Sequence, residues 1–138
     1  KKKKEIKYGL NKKSTYFSFK QRVEKSKEKL VSIFKKCKIK NKKIIGYGAT
    51  AKSTTILNYC KINSSTIDYF LDTTEDKQNK YTPGTKIEIK KYSGFIDNDV
   101  DYVFLGAWNF KKEIFNKEKN FIKKGGKFIT HIPFPKII

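Results

Sequence analysis

The length, composition and charge of the chain limit what kind of protein it can be. With 138 residues, of which 37% are hydrophobic, the chain has the size of one domain and enough apolar surface to fold, which excludes a wholly disordered protein. The formal net charge is +20, and a field of that sign attracts anionic ligands. Arg22 is the only arginine, although guanidinium groups are the preferred readers of base edges and phosphates. We therefore interpret the lysines as a solvated surface and do not expect a nucleic-acid partner.

The cysteines and the histidine give no sign of a metal site or of disulfides. Cys37 and Cys60 lie far apart, form no C-x-x-C pair and do not cluster with His131, so we expect no metal in this chain and a reducing, cytoplasmic location. His131 is interpreted as structural, because no acid or nucleophile can be paired with it. No run approaches the roughly 18 apolar residues of a membrane span, and the lysines of residues 1–4 are not followed by the apolar stretch of a secretory signal.

The first third of the chain is predicted to form a linker and one long helix. Residues 1–13 are rich in lysine and show no periodicity, which is typical of a linker, and the domain is expected to span residues 14–138. Ser14 is a candidate N-cap for an amphipathic helix. Its apolar positions recur at helical spacing: Phe19, Val23, Leu30, Phe34 and Cys37.

From residue 44 onward, strands alternate with helices. Residues 44–48 predict a strand that ends in glycines, residues 49–59 a helix, residues 67–72 a second strand and residues 73–80 a loop. Residues 81–85 contain turn chemistry, and residues 86–89 alternate like a short strand. Residues 101–107 are almost continuously apolar, which is typical of a strand buried on both faces of a parallel sheet.

The end of the chain completes the alternation. Asn109 is a candidate cap for a helix that buries Phe110, Ile114, Phe121 and Ile122, and Gly125-Gly126 ends this helix before a strand over residues 127–132. The whole pattern predicts an α/β fold: a Rossmann-like three-layer domain with a mostly parallel sheet and an N-terminal amphipathic helix.

The turn Gly46-Tyr47-Gly48-Ala49-Thr50-Ala51-Lys52 is the strongest candidate for a binding site. A first strand-to-helix turn presents backbone N–H groups at the positive end of a helix. As G-x-G-x-x-A, with Asp72 as ribose ligand, the turn suggests an NAD(P)-binding domain of an oxidoreductase or regulator. As a P-loop it has Ala51 where glycine belongs, so this interpretation ranks lowest. The glycines are also compatible with a purely structural turn.

Three groups of residues are candidates for ligand contact. Lys52, one turn inside the helix, could face a bound anion or be one more solvated lysine. The loop with Tyr81, Pro83, Gly84 and Thr85 follows a strand end, where binding groups commonly lie. Trp108 and Asn109 follow the apolar strand at the sheet edge expected to hold Gly48, although Asn109 is equally explained as a helix cap. No catalytic residue can be assigned.

Ordered motifs along the chain resemble the C-terminal domain of bacterial sugar C-methyltransferases that use S-adenosylmethionine. The resemblance runs from about Leu10 to the end. It rests on these segments: the glycine turn at residues 46–52, Thr55-Ile56-Leu57-Asn58-Tyr59-Cys60, Asp72, Lys77-Gln78, Lys80-Tyr81-Thr82-Pro83-Gly84-Thr85, Ala107-Trp108-Asn109, Glu113-Ile114, Gly125-Gly126-Lys127-Phe128-Ile129 and Ile132-Pro133.

A few positions depart from that family's pattern. The family often has proline at position 50 and a Gly-Asn pair at 53 and 54, where this chain has Thr50, Ser53 and Thr54. Glu88 and His131 stand where the family tends to have proline. None of these departures removes a glycine of the turn or Lys52.

The resemblance implies the parts of a larger enzyme. It implies a zinc-binding domain and a central domain that holds S-adenosylmethionine, with the present domain helping to enclose a nucleotide-linked keto-sugar. S-adenosylmethionine and zinc are then expected in the full enzyme and not in this domain. The central domain of the same polypeptide is its expected partner, and the domain alone is not expected to transfer a methyl group. The missing initial Met also suggests a fragment.

Overall fold

The computed structural model describes residues 1–138 and contains one seven-stranded sheet. The strands are β1 (Ile44–Tyr47), β2 (Tyr69–Asp72), β3 (Lys80–Tyr81), β4 (Glu88–Lys91), β5 (Tyr102–Leu105), β6 (Lys127–Thr130) and β7 (Lys136–Ile137). The helices are α1 (Lys2–Lys7), α2 (Lys13–Ile39), α3 (Ala51–Cys60), α4 (Lys111–Lys117) and α5 (Lys119–Lys123). Two single 3-10 turns lie at Glu75–Lys77 and Trp108–Phe110.

The sheet is mostly parallel, and its strand order reverses beside the first strand. The order is β3-β4-β2-β1-β5-β6-β7. Strands β4, β2, β1, β5 and β6 run parallel, whereas β3 and β7 add to the two edges in antiparallel orientation. From β1 the chain passes through α3 to β2 on one side, while β5 lies on the other side. This confirms the predicted Rossmann-like architecture.

Helices cover both faces of the sheet, and the interior strands are apolar on both faces. Because successive side chains of a strand point to opposite faces, Ile44 joins the core beneath α2 and α3, and Ile45 joins the core beneath α4 and α5. In β5, Phe104 belongs to the core beneath α2 and α3, and Val103 belongs to the core beneath α4 and α5. The continuous apolar run of this strand therefore reflects its interior place, as predicted. None of the helices combines the length and apolar character that crossing a membrane requires.

The N-terminal region differs from its prediction. Residues 2–7, expected to lack regular structure, form α1, which buries none of its side chains. The long helix begins one residue before Ser14, and its N-cap Lys12 makes no side-chain capping bond. Phe19 is exposed although its spacing predicted burial, because only the second half of α2 lies over the sheet.

The region after β5 also differs in detail. Asn109 does not cap the following helix: it lies in the 3-10 turn, and Phe110 occupies the N-cap position without a capping bond. The single predicted helix is divided into α4 and α5 at Glu118, a buried residue. Ile114 and Phe121 are buried as predicted, whereas Phe110 and Ile122 are exposed.

Candidate functional site

The glycine turn lies where the carboxyl ends of β1 and β5 meet. Gly48 has a φ of +81°, and a Cβ on it would come within 2.4 Å of the Ala107 Cβ. From the other side, a Cβ on Gly106 would lie 2.2 Å from the Gly48 carbonyl oxygen. Both the positive φ and the close approach require glycine at position 48. The two loops of the switch point are therefore packed directly against each other.

Gly46 has a different reason to be glycine. It lies inside β1, is buried, and a Cβ on it would meet the ring of Phe70 at 2.3 Å. Its backbone does not adopt a positive φ. The missing side chain at position 46 is thus a packing requirement between the strand and Phe70, and Gly46 lines none of the cavities described below.

The Asp72 carboxylate locks the turn from within the protein. Asp72 Oδ2 accepts from the Ala49 N–H at 2.7 Å, and its Oδ1 accepts from the Thr74 N–H at 2.8 Å. Burial alone would raise the pKa of Asp72, but the bonds from Thr74 and Ala49 outweigh it and hold the pKa below its usual value. The Gly48 N–H donates to the Leu71 carbonyl at 2.8 Å. The amides of Gly48 and Ala49 are therefore already satisfied, and Asp72 is engaged with the turn.

The start of helix α3 keeps two donors free. Thr50 and Ser53 form a capping box: Thr50 Oγ1 accepts from the Ser53 N–H at 3.1 Å, and Ser53 Oγ accepts from the Thr50 N–H at 2.9 Å. The N–H groups of Ala51 and Lys52 have no acceptor in the protein, and both residues are exposed. The positive end of this ten-residue helix is thus open to an anion.

Two cavities flank the turn. The first, the crevice, has a volume of about 310 Å³ and lies over the carboxyl ends of β1, β2 and β5. Among its lining residues are Tyr47, Gly48, Thr50, Asp72, Lys77 and Lys117. The second, the side cavity, has a volume of about 510 Å³ and lies between α3 and the loop at residues 80–83. Among its lining residues are Ala49, Thr50, Ala51, Lys77, Tyr81 and Pro83.

The predicted loop at residues 81–85 is held rigidly beside α3. Buried Thr82 and Thr85 share a hydrogen bond of 2.6 Å between their hydroxyl groups. Asn58 Nδ2 donates to the Pro83 carbonyl at 3.0 Å, and a Cβ on Gly84 would lie 2.1 Å from Asn58 Oδ1. Thr85 and Gly84 therefore serve to build the loop, while Tyr81 and Pro83 present it to the side cavity.

Lys52, Trp108 and Asn109 come together as one group. Lys52 Nζ donates to Asn109 Oδ1 at 3.1 Å and lies 5.2 Å from the centroid of the Trp108 ring. Lys52 forms no ion pair with an acidic side chain. Its positive charge is held in place by neutral groups and remains uncompensated beside the helix N-terminus.

Tyr47 links the floor of the crevice to a buried acid. The Tyr47 ring centroid lies 5.2 Å from that of Tyr92, whose hydroxyl donates to Glu118 Oε1. Burial raises the pKa of Glu118, partly offset by the bond from Tyr92. Glu118 thus fixes the two tyrosines behind the crevice.

Two residues that line the cavities, Thr50 and Lys77, were not among the candidates that the sequence analysis selected for ligand contact. Thr50 and Lys77 each line both cavities. Lys77 is part of the Lys77-Gln78 motif, and its Nζ lies 3.5 Å from Asp72 Oδ2, so the motif was the available signal.

His131, which the sequence analysis interpreted as structural, is buried. Its ring is stacked on that of Phe104, with 5.4 Å between the centroids, and burial lowers its pKa. No group of three or more His, Cys, Asp or Glu side chains is arranged to hold a metal ion.

The fold and the turn define a Rossmann-like domain with a candidate ligand site at its switch point. Comparison with known families narrows this class, because a model of the C-methyltransferase C-terminal domain matches residues 1–133. The chain belongs to that family, as its motifs predicted. The C-methyltransferase NovU of Streptomyces niveus is 39% identical to it over 97 residues. The matched stretch makes up 70% of this chain but only 23% of that relative.

Proposed function

We propose that the chain is the substrate-binding domain of an S-adenosylmethionine-dependent C-methyltransferase that acts on a nucleotide-linked sugar. The observation that carries the proposal is the open N-terminus of α3, where the Ala51 and Lys52 N–H groups lack acceptors beside the uncompensated Lys52 ammonium. A nucleotide-linked sugar carries its negative charge on phosphates, and helix N-termini with a nearby lysine are well suited to bind phosphate.

The cavities on either side of the turn suit the remaining parts of such a ligand. Small-molecule sites commonly measure about 300 to 1,000 Å³ and are lined by apolar groups with a few placed polar ones. The side cavity, at about 510 Å³, combines Tyr81 and Pro83 with Lys77 and Lys80. In this proposal the phosphates lie at the α3 N-terminus, and the loop with Tyr81 contacts the rest of the ligand.

S-adenosylmethionine and zinc are assigned to other parts of the enzyme. The residues of the turn do not fit S-adenosylmethionine, because the open α3 N-terminus and the Lys52 ammonium favour an anion, whereas this cofactor, with its sulfonium and ammonium groups, is a net cation. The role of this domain is then to orient the sugar towards a methyl donor held elsewhere, which lowers the barrier through positioning. We place the enzyme in the cytoplasm, where the two unpaired, buried cysteines stay reduced.

The alternative, an NAD(P)-binding domain, loses its main support. That function needs a free acid at the end of β2 to bind ribose hydroxyls. The two carboxylate oxygens of Asp72 instead accept hydrogen bonds from the Ala49 and Thr74 N–H groups. No observation in the structure favours the alternative over the methyltransferase.

Titration of the chain with three ligands at two salt concentrations tests the proposal. We expect saturable binding of a pyrimidine nucleotide-sugar at both salt concentrations, no comparable binding of NADH, and only a weak, salt-sensitive response to a single-stranded oligonucleotide. Tighter binding of NADH than of the nucleotide-sugar would reject the proposed ligand class. If salt weakens nucleotide-sugar binding as steeply as it weakens oligonucleotide binding, the ligand is held only by non-specific attraction to the positive surface.

A further inference from the structure

One face of helix α2 carries a stripe that is apolar except at Lys27, and the domain covers only half of this stripe. Seven residues of this helix share a single stripe at spacings of three and four: Tyr16, Phe19, Val23, Lys27, Leu30, Phe34 and Cys37. Leu30 and Phe34 are 1% and 2% exposed, whereas Tyr16 and Phe19 are 57% and 58% exposed. The stripe therefore continues beyond the edge of the domain without a partner.

The uncovered end has a defined structure of its own. Thr15 Oγ1 donates to the Gly9 carbonyl at 2.7 Å, and the Tyr16 hydroxyl donates to the Leu10 carbonyl at 2.6 Å. These bonds hold the turn after α1 against the start of α2, although α1 itself buries no side chain. We call residues 1–23 the arm. It presents further exposed apolar residues: Ile6, Tyr8 and Leu10.

A groove at the base of the arm extends the apolar surface onto the domain. It has a volume of about 480 Å³. Among its lining residues are Val23, Lys52, Ile56, Tyr59 and Trp108. Val23 also belongs to the stripe, one turn after Phe19, so the arm and the groove form one continuous corner. An uncovered apolar surface of this kind marks an interaction site.

We propose that this corner is the docking surface for the region that precedes the present domain in the complete methyltransferase. The inference rests on the proposed function, because it requires the chain to be one part of a larger enzyme. Lys52 and Trp108 line the groove and also belong to the candidate ligand site. A region seated in the corner therefore lies next to the bound nucleotide-sugar and closes the site from the side of α3.

Two observations identify this occupant. First, the family describes a C-terminal domain, and the matched stretch accounts for only 23% of the relative NovU, so most of that relative lies outside the match. Second, the chain carries a net charge of +20, and residues 1–29 hold twelve Lys and Arg against three Glu. A second copy would bring like charges together, whereas a separate region with an apolar patch and an acidic rim complements the corner.

Hydroxyl-radical footprinting of the complete methyltransferase and of this 138-residue chain tests the inference. Phe17 and Phe19 are both exposed in the isolated chain, but they lie on opposite sides of the helix because residues two apart are about 200° apart. We expect oxidation of Phe19 to fall severalfold in the complete enzyme, while oxidation of Phe17 stays unchanged. Equal oxidation of Phe19 in both proteins would overturn the inference, as would a gene that encodes no region before this domain.

A pair of variants provides a second measurement that does not depend on footprinting. In the complete enzyme, Phe19→Asp should speed the proteolytic release of this domain, and the matched variant Phe17→Asp should not. Equal release rates would contradict the docking surface. Concentration-dependent dimerisation of the isolated chain that Phe19→Asp abolishes would assign the corner to a second copy and also overturn the inference. No nucleotide-sugar is present in these assays, so their outcome is separate from the titration that tests the proposed ligand.

Discussion

Lys52 holds its ammonium group against two neutral partners, the Asn109 amide oxygen and the Trp108 ring. We predict that Lys52→Ala weakens nucleotide-sugar binding and leaves the fold intact, because the side chain is exposed and supports no core contact. A charge-assisted contact is worth about 1.5 to 3 kcal/mol, or roughly ten- to more than a hundredfold in affinity. Calorimetric titration of the variant measures this loss.

Lys123 provides the matched control for this substitution. It is exposed at the end of α5, next to the start of β6 and hence at the opposite edge of the sheet from the turn. Lys117, by contrast, lines the crevice and is unsuitable. Lys123→Ala should reduce affinity only slightly and in a salt-dependent way. Equal losses from both substitutions would make Lys52 an ordinary surface lysine.

Asp72 has a structural role that can be separated from ligand binding. We predict that Asp72→Asn destabilises the chain by about 1 to 3 kcal/mol, because an amide group cannot accept from both the Ala49 and Thr74 N–H groups. Chemical denaturation measures the change. The exposed Asp76, in the 3-10 turn after β2, makes no side-chain hydrogen bond, so Asp76→Asn should be nearly neutral. A similar loss of unfolding free energy in both variants would contradict the proposal that Asp72 stabilises the turn.

The pKa of Asp72 gives this prediction a pH dependence. Its folded-state pKa lies below the usual value of 3.8, so the ionised carboxylate stabilises the fold at pH values above 3.8. That contribution is lost as the pH falls through the folded-state pKa. Denaturation curves should therefore show the gap between the natural chain and Asp72→Asn narrowing below pH 4. A gap that stays constant from pH 7 to the acid limit would contradict this origin of the stability.

At the scale of elements, the turn between β1 and α3 requires glycine at position 48 for two separate reasons. Gly125 is a matched control for one of them, because it also has a positive φ (+91°) but a Cβ on it would meet no atom within 4 Å. We predict that Gly125→Ala costs about 1 to 2 kcal/mol from backbone strain alone. Gly48→Ala should cost clearly more, since its Cβ would also overlap the Ala107 side chain. Equal losses in thermal denaturation would show that the β1 and β5 loops are not tightly packed.

The elements that the sequence predicted are those that bury apolar side chains in a regular pattern. The succession β1, α3 and β2 and the interior position of β5 were predicted, because Ile44, Ile45, Val103 and Phe104 face cores on both sides of the sheet. Strands β3 and β7 were missed, since each has only two exposed residues and two residues carry no periodicity. The cap assigned to Asn109 was wrong because its amide oxygen accepts from Lys52, a contact 57 residues away that no local pattern reveals.

At the scale of the whole molecule, the strand order brings the candidate residues to one edge of the sheet. The topology was predictable from alternation. Gly48 lines the crevice, whereas Lys52 and Trp108 line neither the crevice nor the side cavity but a separate groove. The sequence did not indicate that Asp72 would fill the amide site of the turn, because this depends on the side-chain rotamer at a strand end. It also did not show that the first half of α2 extends past the domain, since burial depends on where the sheet ends and not on the helix pattern.

Mapping the backbone amide resonances of the chain during titration with a pyrimidine nucleotide-sugar tests whether the start of α3 binds the ligand. We expect that the Ala51 and Lys52 amides, which lack acceptors in the protein, shift most, together with residues that line the side cavity such as Tyr81. The amides of Gly48 and Ala49, already bonded to Leu71 and Asp72, should shift less. Small, uniform shifts at exposed lysines across the surface, with Ala51 and Lys52 unchanged, would contradict a ligand site at the start of α3.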